Sequence, residues 1–170
     1  MAKWTLIVVA LLLLLPLVAG SLGWLHGPPP SRLGLTEGRL KPPSKTPNSV
    51  SSQADLWPDH PQREYARIAP LPAGGGQGGA DAAWARLRHI VERERGARVV
   101  LGDGDYLYAQ FTTRWLGFMD DAEFWLDRQA GVIHVRSASR LGRRDFGVNR
   151  ARVEALRAWP GGLVIATHDD

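Results

Sequence analysis

The chain has 170 residues, a formal net charge of +4 and no cysteine. The missing cysteine excludes disulfides, thiolate metal sites, cysteine nucleophiles and lipid attachment at a cysteine. The positive charge is mild and gathers in one stretch. The aromatics sit in apolar alternation instead of among basic residues, so nucleic acid is not an expected partner.

The first 25 residues carry one cation, Lys3, followed by an uncharged run from Trp4 to Leu25. At about 1.5 Å per helical residue the two tryptophans Trp4 and Trp24 stand roughly 30 Å apart, the thickness of a bilayer's hydrocarbon. Tryptophan at both ends matches an interfacial aromatic belt, and Pro16 is tolerated in a membrane helix. A cleaved signal ending at Val18-Ala19-Gly20 is the competing reading. The apolar run exceeds a signal's usual core, which favours an anchor. Lys3 then stays inside and the remainder is exported, although Arg32, Arg39, Lys41 and Lys45 on the far side weaken that asymmetry. The expected location is a bacterial inner membrane, single-pass, with the domain on the periplasmic side.

Residues 26–47 cluster prolines with little apolar periodicity and read as an extended spacer. A folded domain is expected over 48–162, followed by a tail at 163–170. Its first part, punctuated by Pro58, Pro61, Pro70 and Pro72, reads as a strap over a core, and "AGGGQGG" as a flexible loop. Asp81 is a candidate cap for a helix running to about Arg95 and ended by Gly96. Two strands follow, joined through Gly102-Asp103-Gly104. In the second, Leu107, Ala109 and Phe111 oppose Tyr108, Gln110 and Thr112. "DDAEFWLD" sets Ala122, Phe124 and Leu126 against Asp121, Glu123, Trp125 and Asp127. "VIHVRSAS" sets Ile133 and Val135 against His134 and Arg136. A last helix spans about Val148 to Trp159. The fold class is α+β: a two-layer sandwich with a mainly antiparallel four-stranded sheet, two helices on one face, and an N-terminal transmembrane helix.

No metal or cofactor site is expected. The five histidines lack metal-ligand spacing, "GDGD" lacks a calcium loop's closing glutamate, and the glycine-rich loop lacks Gly-Lys-Ser/Thr. Ser137 and Ser139 lack a nucleophile elbow. Asp120, Asp121, Glu123 and Asp127 form the densest carboxylate set. They suit either acid–base chemistry with His134 or His60, or plain pairing with strand-neighbour arginines. "RSASRLGRRDFGVNRAR", residues 136–152, holds six arginines and leads into a helix N-terminus, where an anion is favoured. Arg136, Arg140 and Arg150, with Ser51 and Ser137 as hydroxyl donors, are candidates to hold that anion. Alternatively Asp145, Asp120, Asp121 and Asn149 satisfy the stretch internally as a structural network.

"PNSVSSQ" (47–53), "GFMDDAEFWLD" (117–127) and "VIHVRSASRLGRRDFGVNRARVEALR" (132–157), in that order, resemble the domain of unknown function 1499 family over roughly Pro47 to Pro160. The family pattern falls on Asn48 to Ser52, His60, Pro70, Leu71, Asp120, Asp121, Arg136, Ser137, Ser139, Arg140, Gly142, Asp145, Gly147, Asn149 and Arg150. The residue before Asp145 departs from it by belonging to Arg143-Arg144. The resemblance implies an exported or envelope-associated bacterial protein, with relatives in plastids and no established activity. The combined expectation is a non-catalytic binding or scaffold module for an anionic small molecule, lipid headgroup or envelope protein. The alternative is a hydrolase or lyase built on Asp120, Asp121 and a histidine.

Overall fold

Two-residue alternation of apolar side chains builds four long strands in a computed structural model that describes residues 2–74 and 76–159. These are β3 (Ala97–Asp103), β4 (Tyr106–Thr112), β5 (Met119–Asp127) and β6 (Val132–Ser139), an antiparallel meander. The sheet has six strands, not the expected four. The strap contributes β1 (Ser49–Ser51) and β2 (Leu71–Pro72), and both pair antiparallel with the free edge of β6. Strands of two and three residues show no period in a sequence. Pro72 is tolerated because it occupies an edge.

The helix layout also differs. Beside α3 (Gly76–Arg93) and α4 (Val148–Arg157) stand the apolar α1 (Ala2–Ser21), the four-residue α2 (Arg63–Ala66) and a 3-10 turn at Ala54–Leu56. The helix expected from Asp81 begins at Gly76, inside the glycine-rich stretch. Ala80 and Ala83 are buried in the core, and that packing outweighs glycine's poor propensity. Asp81 pairs instead with Arg128 at 2.7 Å. The expected end of the domain at 162 and the tail at 163–170 lie outside the described residues.

One sheet face meets α3 and α4. Leu107, Phe111, Phe124, Leu126, Ile133 and Val135 pack there with Leu87, Ile90, Val91, Val153 and Leu156. Each large apolar side chain sequestered this way contributes about 1.5–3 kcal/mol.

The other face is polar, and it is not open to solvent. Residues 34–42, expected within a free spacer, lie across it. Leu40 is buried, its amide donates to Gln53 Oε1 at 2.8 Å, and the Gly34 amide donates to Glu123 Oε1 at 2.8 Å. Residues 36–39 make a tight turn in which Thr36 and Arg39 exchange backbone hydrogen bonds, and the carbonyls on either side of it are left to cap polar side chains. The Pro42 carbonyl accepts from Arg136 Nε at 3.0 Å.

α1 is long and apolar enough to cross a membrane or to act as a signal. Its C-terminal end abuts the domain. A Cβ on Gly20 would stand 2.4 Å from the Leu116 carbonyl oxygen, so only glycine permits this approach.

Candidate functional site

Strand alternation sends neighbouring residues to opposite sides, and this decides the fate of the acidic set. Asp121 and Glu123 lie on the polar face, Glu123 directly under the 34–42 segment, whereas Asp120 faces α4. The three are buried. On the covered face Arg140 grips Asp121 with two bonds, Nε to Oδ2 and Nη2 to Oδ1, both 2.8 Å. The Tyr108 hydroxyl also donates to Asp121. Arg136 stands opposite Glu123 in the β5–β6 register, with Nη1 3.7 Å from Oε2. Tyr106 donates to Glu123 Oε1 at 2.8 Å. Burial lowers the Arg136 pKa, and Glu123 opposes that shift. Desolvation raises both tyrosines, with the adjacent carboxylates adding to it, so both stay protonated donors.

On the helix face Arg152 donates from Nη2 to Asp120 Oδ2 at 2.6 Å and stacks over the Phe111 ring at 4.4 Å. Asn149 is the hub. Its Nδ2 donates to the Asn48 carbonyl, Ser139 Oγ and Asp145 Oδ2, and its Oδ1 accepts from Ser137 Oγ and Arg152 Nη1. Asp145 occupies the N-terminus of α4. It accepts the Gly147 amide at 3.1 Å, the Asn149 amide at 3.2 Å and the Tyr65 hydroxyl. Burial pushes its carboxyl up, yet these hydrogen bonds outweigh burial and hold it below the usual aspartate value. The anion that the helix terminus favours is therefore supplied by the chain itself.

The sequence-predicted site residues are thus distributed, not gathered. Asp120 and Asp121 are separated by the thickness of the sheet. Arg136 lies under the 34–42 segment, and Arg140 lies further along the same face, next to Gly27. Ser137 points the other way, into the Asn149 hub. Ser51 is buried in β1, where its hydroxyl accepts the Gln53 amide at 3.2 Å. His60 lies in the loop before α2, its Nδ1 accepting the Gln62 amide at 3.2 Å. Only Arg150 of the arginine candidates reaches a surface groove, held there by bonds from Nη2 to the Tyr65 and Arg67 carbonyls.

His134 packs against Trp125 with ring centroids 5.3 Å apart, and its Nδ1 lies 3.1 Å from Ser52 Oγ. Burial lowers its pKa below 6.5, opposed by Asp127. The neutral ring is the form the fold prefers. Its contribution is complete above the unfolded value near 6.5 and is lost as pH falls from there through the lower folded value. Thermal unfolding between pH 7.5 and 5 should show stability declining over that window, and His134→Asn should flatten this part of the profile. An unchanged profile in the variant would exclude His134 as its source.

The groove that receives Arg150 has a volume of about 690 Å³ and runs between α2 and the β6–α4 loop. It is also lined by Lys45, Gln62, Tyr65, Arg143, Arg144 and Phe146. Among the described residues Lys45, Arg143 and Arg144 form no ion pair and no side-chain hydrogen bond. Exposed guanidinium forks can recognise phosphate or carboxylate bidentately.

A family model described as a protein of unknown function (DUF1499) matches residues 39–159, from the segment that seals the polar face to the end of α4. The chain belongs to the DUF1499 family. No curated protein and no solved structure matches it. The match begins eight residues before the 47–160 span of the recognisable sequence segments. The buried Leu40 shows why: the DUF1499 domain includes part of what reads as linker. Sequence reasoning missed Lys45, Gln62 and Tyr65 of the groove, because three separate chain segments meet there only through the β1–β6 pairing. Arg143 and Arg144 were visible as a departure before Asp145, with nothing in the sequence to say that they face outward.

Proposed function

We propose that this DUF1499 protein is a membrane-tethered, non-catalytic binding module whose basic groove takes an anionic group. One observation carries the reading. The inward arginines Arg136, Arg140 and Arg152 are each answered by a buried carboxylate, whereas Lys45, Arg143 and Arg144 collect around one groove with no ion-pair partner among the described residues. Unneutralised like charges repel one another, so an arriving anion relieves that repulsion as well as forming its own bonds. The carboxylates that catalysis would need are consumed by arginines on opposite faces of the sheet. The tether is α1, oriented with Lys3 on the cytoplasmic side of a bacterial inner membrane and the domain on the periplasmic side.

The test uses the full chain in a non-ionic detergent, titrated with pyrophosphate and followed by thermal unfolding. At tenfold excess over its dissociation constant a ligand stabilises by about 1.4 kcal/mol, which for a domain of this size is roughly 3–6 °C. The variant Lys45→Gln/Arg143→Gln/Arg144→Gln should melt within about 2 °C of the parent, these being surface positions, and should lose the pyrophosphate shift. A shift that survives in the triple variant, or none in the parent, overturns the assignment of the groove.

A further inference from the structure

The meander sorts its loops to two ends. The β3–β4 and β5–β6 turns lie at one end, and the β4–β5 loop (113–118) and β6–α4 loop (140–147) lie at the other, about seven residues or roughly 23 Å away along the strands. Three facts mark the second end. The C-terminal end of α1 is seated on it: Gly20 closes on Leu116, and Gly117, at φ +65°, could not carry a Cβ without striking the Gly20 carbonyl. Gly27, just past the helix, packs in turn against Leu141 of the other loop. The two loops adjoin, with Thr113, Phe118, Leu141, Arg144 and Phe146 lining one shallow cavity of about 320 Å³.

The side chains displayed at this end are those a soluble surface avoids. Trp115 is 68% exposed and Phe146 is 94% exposed. Phe146 has φ +52°, a conformation that an aromatic residue rarely adopts. Nothing in the packing of its own ring compensates that strain. Cations accompany the aromatics: Arg114 lies over the Trp115 ring at 4.6 Å, and the exposed Arg143 and Arg144 shortly precede Phe146 in the chain. Aromatic side chains with arginines beside them are the composition of a surface resting in the headgroup layer of a bilayer containing acidic lipid.

From this geometry we infer that loops 113–118 and 140–147 form a membrane-contact rim. Trp115 and Phe146 enter the interfacial layer of the same bilayer that holds α1, and Arg114, Arg143 and Arg144 meet acidic phospholipid headgroups. The continuity from the α1 terminus through Gly20 and Gly117 to these loops selects the bilayer as occupant over a second protein. The inference rests on α1 remaining in the membrane, but does not need the groove to bind a soluble anion.

The absence of cysteine makes the test direct. Trp115→Cys, Phe146→Cys and, at the opposite end, Gly104→Cys are each labelled with an environment-sensitive fluorophore. The full chain is reconstituted in vesicles of phosphatidylcholine with or without phosphatidylglycerol. Labels at 115 and 146 should be at least threefold less accessible to aqueous iodide than the label at 104, and should be quenched by brominated acyl chains. Phosphatidylglycerol should increase that protection. Equal iodide quenching at all three sites in protein that floats with the vesicles overturns the rim and leaves the anchor standing. Failure to float overturns both. No pyrophosphate shift in the parent, with the labels at 115 and 146 protected, would sink the groove alone.

Discussion

Arg140→Ala is expected to destabilise the domain by about 3–5 kcal/mol, the cost of leaving a buried charge without its partner. At this domain size that is a drop in melting temperature of roughly 6–20 °C. The magnitude follows from the geometry of what is left behind. Asp121 is buried on the polar face of the sheet, and Arg140 supplies two of its bonds at 2.8 Å. The Tyr108 hydroxyl remains, but one neutral donor does not compensate a carboxylate in a low-dielectric setting. The same reasoning gives the control. Asp121→Leu/Arg140→Met removes both charges and fills the volume with apolar atoms, so it should recover at least half of the loss. Circular dichroism melts of the full chain in detergent check both. An Arg140→Ala protein melting within 3 °C of the parent would mean that Asp121 tolerates isolation, and would return Arg140 to the ligand-binding candidates.

What could be read from the sequence followed from periodicity. Alternation in β4, β5 and β6 identified Leu107, Phe124 and Val135 as core and Tyr108, Glu123 and Arg136 as their opposites, as the structure has them. The same rule already separates Asp120 from Asp121, since adjacent strand residues cannot share a face. Pairing across strands was less accessible. That Arg136 meets Glu123, and Arg140 reaches Asp121, depends on the β5–β6 register, which the turn at 128–131 sets. Tertiary override hid the rest. The buried Ala80 and Ala83 draw the glycine-rich stretch into α3. Leu40 and the free carbonyl of Pro42 turn part of a proline-rich spacer into a cover for the polar face. The groove was least visible, because Lys45, Tyr65 and Arg144 come from segments with no shared pattern and meet only when β1 adds to β6.

Asn149→Ala is expected to cost about 3 kcal/mol, because it strips partners from several buried groups at once. The Asn48 carbonyl, Ser139 Oγ and Asp145 Oδ2 lose a donor, while Ser137 Oγ and Arg152 Nη1 lose an acceptor. Alanine alone cannot separate a lost hub from a small cavity, so Asn149→Asp is the sharper variant. It keeps the volume and the acceptor for Ser137 and Arg152, but sets a second carboxylate where the amide donated to Asp145. Repulsion raises the pKa of the introduced acid in the folded state. Its protonated form again donates a hydrogen bond. The deficit is therefore smallest below the unfolded value of about 3.9 and grows as pH rises through the raised folded value. Asn149→Asp should lie closer to the parent in melting temperature at pH 4.5 than at pH 7.5, whereas the Asn149→Ala deficit should stay nearly constant over the same range. A pH-independent deficit in Asn149→Asp would show that Asp145 is held by its backbone and tyrosine donors alone. Residues 136–152 would then join β6 to α4 through Arg152 and Asp120, with Asn149 filling space between them.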